Sequence, residues 1–266
     1  AVDIRRLRVG VYEEDGVMAS APSTRRAVRE AAGHLSAAGA RAVAWSPPDP
    51  GAALNLAIGF FSADGGAHYK ALLAGGKTHP SVQPLVTLSG LSRGTLDMAA
   101  RLLRFVGLPS LAAAMGAFGH SSVSAYYHLV EALDAYRRDF ARAMDAADGG
   151  PIDLILGPAS ALPAFTHGAT RDLMLGGANA ILYNALGYPA GVTPVTRVRV
   201  DEQGPRPRSM DVAQQAARRC EQGSAGLPVG VQIAARPWRE HLALAAMRVV
   251  EQAARQVSDY PACPPL

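Results

Sequence analysis

The pentapeptide Gly90-Leu91-Ser92-Arg93-Gly94 has the Gly-x-Ser-x-Gly spacing that lifts a nucleophilic Ser onto a sharp strand-to-helix turn. On that reading Pro84 to Leu88 forms the strand, and Asp134 and then His167 follow in the order such a triad takes. The same letters also fit two helices broken at Gly90 and Gly94, with Ser92 beside a cap. Gly75-Gly76-Lys77-Thr78 ends like a phosphate-binding loop, but the full pattern wants Gly where Ala71 stands, and no strand precedes it. His68 with His79, and His120 with His128, lack the i, i+4 spacing of a helical zinc pair. Ser121, Ser122 and Ser124 follow His120, which a helix N-cap explains as readily as a Ser–His contact. None of these sets makes a complete active site.

The elements that would position such residues alternate between strand and helix. Leu7 to Tyr12 alternates as a strand and ends at an acidic turn. Pro22 and Ser23 open a helix over Thr24 to Ala38, with Val28, Ala31, Ala32 and Leu35 at helical spacing and Gly39 as its stop. Ala42 to Trp45 is the next strand. This β-α-β order predicts a parallel pair and an α/β protein. The stretch from Gly51 to Gly149 reads as helical, including Thr95 to Val106, with Arg101 and Arg104 opposite an apolar face of Leu96, Ala99, Ala100, Leu103 and Val106. Such a helix packs on the body of the domain or lies in a membrane interface. Tyr126 to Ala147 is a longer amphipathic helix. Strands are expected at Ile152 to Leu156, Tyr188 to Val195 and Gly226 to Ile233, with helices at Asp172 to Leu186 and Glu240 to Val257. Asp201 to Pro207 reads as an exposed polar loop.

Composition narrows the class. The 266 residues are 49% hydrophobic and 18% charged, which fits a globular chain that needs no disulfide or metal to hold it. Lys occurs only at Lys70 and Lys77, so the other 24 of the 26 basic residues are Arg, dispersed along helix surfaces. Nucleic-acid binding is not expected, because basic patches interleaved with aromatics are missing. Cys220 and Cys263 lie far apart with no ligand spacing, as incidental thiols do in a reducing compartment. No apolar run reaches the ~18 residues of a bilayer span. The opening Ala1-Val2-Asp3-Ile4 has neither an initiator Met nor a signal-peptide pattern, and reads as the middle of something longer.

Three stretches taken together resemble the amidase-signature family. They are Leu7 to Tyr12 followed by Ser20 to Val28, then Leu182-Tyr183-Asn184 with Gly187 to Thr196, and finally Gly226 to Gln232 with Pro237-Trp238-Arg239-Glu240. Phe61-Ser62-Ala63-Asp64-Gly65-Gly66 adds a resemblance to the fatty acid amide hydrolase branch. The resemblance implies the C-terminal portion of that fold, a mixed central sheet flanked by helices in a single domain over 1–266. It also implies a cap facing substrate entry or membrane over roughly 92–115. Members hydrolyse amides with a Ser–Ser–Lys triad and an oxyanion-stabilising Gly/Ser-rich loop, without a cofactor. No triad residue maps onto this chain, so catalysis is expected upstream of it and the chain alone is expected to be inactive. Substrate-wall roles fall on Phe61, Leu108, Met174, Gly177 and Ile181. The implied partners are a small-molecule amide with a fatty acyl group and the N-terminal half, with room for peripheral membrane contact and a homodimer, in the cytoplasm. The family's sheet runs through both halves, so strand edges here should stand exposed. Two other readings remain: a non-catalytic lipid-binding or membrane-surface module, and an independent hydrolase using Ser92.

Overall fold

The computed structural model describes residues 2–204 and 206–262, built around a five-stranded mixed sheet. Its strands are β1 (Arg8–Val11), β2 (Arg41–Ala44), β3 (Leu154–Pro158), β4 (Ala190–Arg197) and β5 (Pro228–Ala235). They lie in the order β2-β1-β3-β5-β4. β1 runs parallel to β2 and β3, whereas β5 runs antiparallel to β3 and β4. The expected mixed sheet with flanking helices is present. Its centre, β3, is an unbroken apolar run buried at all five positions, as a strand covered on both faces must be.

Among the described residues, ten α-helices surround the sheet. In chain order they are α1 (Pro22–Ala37), α2 (Pro50–Ser62), α3 (Ala67–Leu72), α4 (Gln83–Ser89), α5 (Arg93–Phe105), α6 (Pro109–Ala117), α7 (Val123–Asp145), α8 (Ala178–Leu186), α9 (Val212–Glu221) and α10 (Glu240–Ala254). α1 starts on Pro22, whose missing N–H costs nothing in a first turn, and the chain reverses at Gly39 with φ +97°. Ala27, Val28, Ala31 and Leu35 of α1 pack with Ala243, Ala246 and Val250 of α10 on one face of the sheet. On the other face, Phe140 of α7 meets Trp45 and Tyr188 edge-on, at ring distances of 5.5 and 5.7 Å. Leu154 and Leu156 point into the first of these cores and Ile155 into the second, the two-residue period of a strand made visible.

Several expectations are corrected. Residues 83–89 are helix rather than strand, and Ser92 is the N-cap of α5, its Oγ accepting the Thr95 N–H at 3.2 Å. The nucleophile elbow is therefore absent. Ser122 caps α7 in the same way, through the Ala125 N–H at 3.2 Å. Only the second half of 172–186 is α-helix. Met174–Gly177 is a 3-10 turn, because Gly176 and Gly177 weaken helix propagation and a Cβ at Gly176 would sit 2.9 Å from the Phe165 ring. On α5, Leu96 and Ala100 are buried, but Val106 is 56% exposed because the helix has already ended. α9 gave no apolar stripe in the sequence because its buried face is Ala213, Ala216, Ala217 and Cys220. Cys263 lies outside the described residues.

The segment 201–207 is not merely an exposed loop. Glu202 holds the Arg26 guanidinium through two bonds of 2.7 and 2.8 Å. Arg206 meets Glu221 at 3.0 Å, with side chains only 8% and 2% exposed, and it also donates to Gln214 Oε1 and the Ala19 carbonyl. Removing one member of such a pair strands a buried charge, which costs about 3–5 kcal/mol. Arg206→Met should therefore lower the urea-unfolding free energy by about that amount. The double change with Glu221→Gln should recover most of the loss, and equal losses for single and double variants would refute the coupling.

Candidate functional site

A cleft of about 610 Å³ opens where α4, α6, the turns over 170–175 and the start of α9 converge. Pro84, Leu85 and Leu88 come from α4, Leu111 and Met115 from α6, and Val212 and Ala213 from α9. Met174 and Leu175 form its floor, while Thr170, Arg171 and Asp172 supply its polar wall. Beneath it, Leu54, Ile58, Leu96, Phe118 and Leu173 make a buried apolar cluster. α9 can sit close to that cluster because its inward residues are small.

The five residues expected to line a substrate wall fall into two groups. Met174 lines the cleft, and both Met174 and Ile181 pack against the cluster beneath it. Gly177 lies between them as the N-cap of α8, with open space where a Cβ would stand. Leu108 is half-buried at the junction of α5 and α6. Phe61 stands apart, 81% exposed, over a second depression of about 680 Å³ shared with Leu72, Tyr126 and Tyr127. Its neighbour Phe60 is the one anchored, edge-on to Tyr126 at 5.6 Å, and the next helical residue turns ~100° away.

A buried polar pin, which the motif reading missed, fixes α8 to the sheet. Tyr12 at the end of β1 donates to Asn179 Oδ1 at 3.3 Å and shares a 3.2 Å hydroxyl contact with Tyr183. Burial raises the pKa of both phenols, so they stay protonated and available as donors. Gly157 on β3 makes room for the Tyr12 ring, since a Cβ there would overlap it. Close by, Asp15 Oδ1 accepts the N–H groups of Val17 and Met18 at 2.9 and 3.2 Å. Asp15 Oδ2 and Asn179 Nδ2 are buried without a hydrogen-bond partner. The sequence signal was weak: Tyr12 closes an apolar strand and Asn179 lies in an apolar helix, while Asp15 is hidden in the acidic turn Glu13-Glu14-Asp15-Gly16.

Among the described residues, no group of three or more His, Cys, Asp or Glu could hold a metal ion. No described helix is long and apolar enough to cross a membrane. Lys70 and Lys77 are both exposed.

Compared with known proteins, residues 3–244 match the family model described as Amidase. The chain belongs to the amidase family. It is 33% identical over 256 residues to fatty acid amide hydrolase 1 of Caenorhabditis elegans, covering 93% of this chain and 43% of that protein. It is 30% identical over 253 residues to fatty-acid amide hydrolase 1 of Sus scrofa, with the same coverages. A solved fatty acid amide hydrolase superposes with a TM-score of 0.67 at 19% identity, over 95% of this chain and 40% of that one. That superposition shows the shared amidase fold. The chain spans less than half the length of these amidase relatives.

Burial raises the Asp15 carboxyl above its ordinary value, outweighing the two N–H bonds that favour the anion. Because the folded state holds this proton more tightly, its contribution to stability is complete below the unfolded value. It is lost as pH rises through the folded value. Chemical unfolding at a series of pH values should show this decline in the wild type, and Asp15→Asn should flatten it. An unchanged profile would remove Asp15 as its source.

Proposed function

We propose that this chain forms the acyl-binding part of an amide hydrolase acting on fatty acyl amides or related small amides. The observation that carries the reading is the cleft floored by Met174, in a chain similar over 93% of its length to fatty acid amide hydrolases. Met174, Gly177 and Ile181 are assigned to the acyl wall. Phe61 and Leu108 belong to the region through which a substrate approaches. The two Ser and the Lys of catalysis are assigned to sequence beyond these 266 residues, which agrees with two exposed lysines here and with relatives more than twice as long.

Hydrolysis should require the longer polypeptide, and the 266-residue chain alone should turn over no oleamide. In the longer enzyme each CH₂ removed from the acyl group should cost ~0.8 kcal/mol, about fourfold in kcat/KM. Met174→Asp should raise KM about tenfold or more by placing a charge in the tail's path. An acyl-length series with no slope would sink the cleft assignment.

A second reading rests on α5. Met98, Leu102 and Phe105 of α5, with Val106 just past its end, are 70%, 64%, 89% and 56% exposed, beside Arg101 and Arg104. This is the composition of a helix lying in a lipid interface. Co-sedimentation with anionic vesicles should fall several-fold in Leu102→Asp/Phe105→Asp, and unchanged binding would exclude this surface.

A further inference from the structure

Beside the cleft lies a second depression, of about 500 Å³, around which Arg208, Arg218 and Arg219 gather with Gln215. Arg208 and Arg218 form no ion pair among the described residues, and Arg219 has only Asp172, at 3.9 Å. Asp172 also pairs with Arg171 at 3.3 Å, and the other neighbouring carboxylates, Asp211 and Glu221, have partners of their own. Asp211 Oδ1 caps α9 by accepting the N–H groups of Ala213 and Gln214 at 2.9 and 3.3 Å, and Glu221 holds Arg206. Two of the arginines stand in the last turn of α9, where the helix dipole tolerates cations, but mutual repulsion among three guanidinium groups remains. A bound anion removes that repulsion, and a guanidinium fork matches a carboxylate or phosphate through two parallel bonds.

The depression and the cleft share one helix and one ridge. Val212 and Ala213 open α9 on the cleft side, while Gln215, Arg218 and Arg219 continue it on the other. Asp172, which lines the cleft, is the residue that Arg219 reaches across the ridge. We propose that the depression is an anion site for the carboxylate or phosphate head of a single-chain amphiphile whose tail lies in the cleft. This rests on the acyl reading of the cleft, and it adds acidic amphiphiles to the ligand class of that site.

Calorimetric titration of the 266-residue chain with dodecanoate, dodecyl phosphate, dodecanol and inorganic phosphate tests it. At least one charged amphiphile should bind roughly tenfold tighter than dodecanol, and the tighter of the two identifies the head group. Inorganic phosphate alone should bind more weakly than dodecyl phosphate. The charge preference should vanish in about 1 M salt, where screening acts within about 3 Å. It should also vanish in Arg208→Gln/Arg218→Gln, which should keep the wild-type dodecanol affinity and far-UV circular dichroism. Equal affinity for charged and neutral chains overturns the anion site and leaves the acyl cleft standing. Failure of all three long-chain ligands overturns both. Inorganic phosphate binding as tightly as dodecyl phosphate overturns the placement of the tail.

Discussion

Everything in this chain hangs on β3, a strand of five residues with no exposed position. On one side it accepts β1 in parallel, and on the other β5 antiparallel, so the change of direction within the sheet happens across this one element. Leu154 and Leu156 close the core under α1 and α10, while Ile155 closes the core under α7 and α8. A residue's worth of slippage would exchange the two faces at once. Gly157 extends the constraint toward the site. Lacking a side chain, it admits the Tyr12 ring, and Tyr12 in turn fixes Asn179 and Tyr183 on α8. The cleft is therefore set by the sheet through a short chain of polar contacts as well as by apolar packing.

The elements with a clear period were legible from sequence alone. β1, α1 and β2 fall within a residue or two of their expected bounds, because alternation, Pro22 and Gly39 each carry a local physical signal. α9 was illegible for an equally physical reason: a helix that buries Ala and Cys shows no contrast between its faces. The Arg206–Glu221 pair hid inside a segment whose polar letters suggest solvent, since sequence does not reveal that two charges 15 residues apart will be buried together. The Ser92 motif misled because Gly and Ser mark a helix start as readily as a nucleophile turn.

Of the candidate wall, Met174, Gly177 and Ile181 were placed by resemblance; Met174 lines the cleft, Ile181 packs on the cluster beneath it, and Gly177 lies between them on one short stretch of chain. The turn that separates Met174 from α8 could not be anticipated from helical spacing, although Gly176 and Gly177 supply its cause. Phe61 shows the opposite case. The sequence gives two adjacent aromatics, but only the fold decides that Phe60 is pinned while Phe61 faces outward.

Among the described residues, β4 forms one border of the sheet and pairs only with β5, with an irregularity in register between Pro194 and Thr196. An open border of this kind is a template on which other chains can grow, and proline is among the few residues that blunt it. Pro194 takes one donor out of the row, and the irregularity twists the remainder away from a flat line. The missing donor and the irregular register make this border a poor template for indiscriminate stacking by a passing strand.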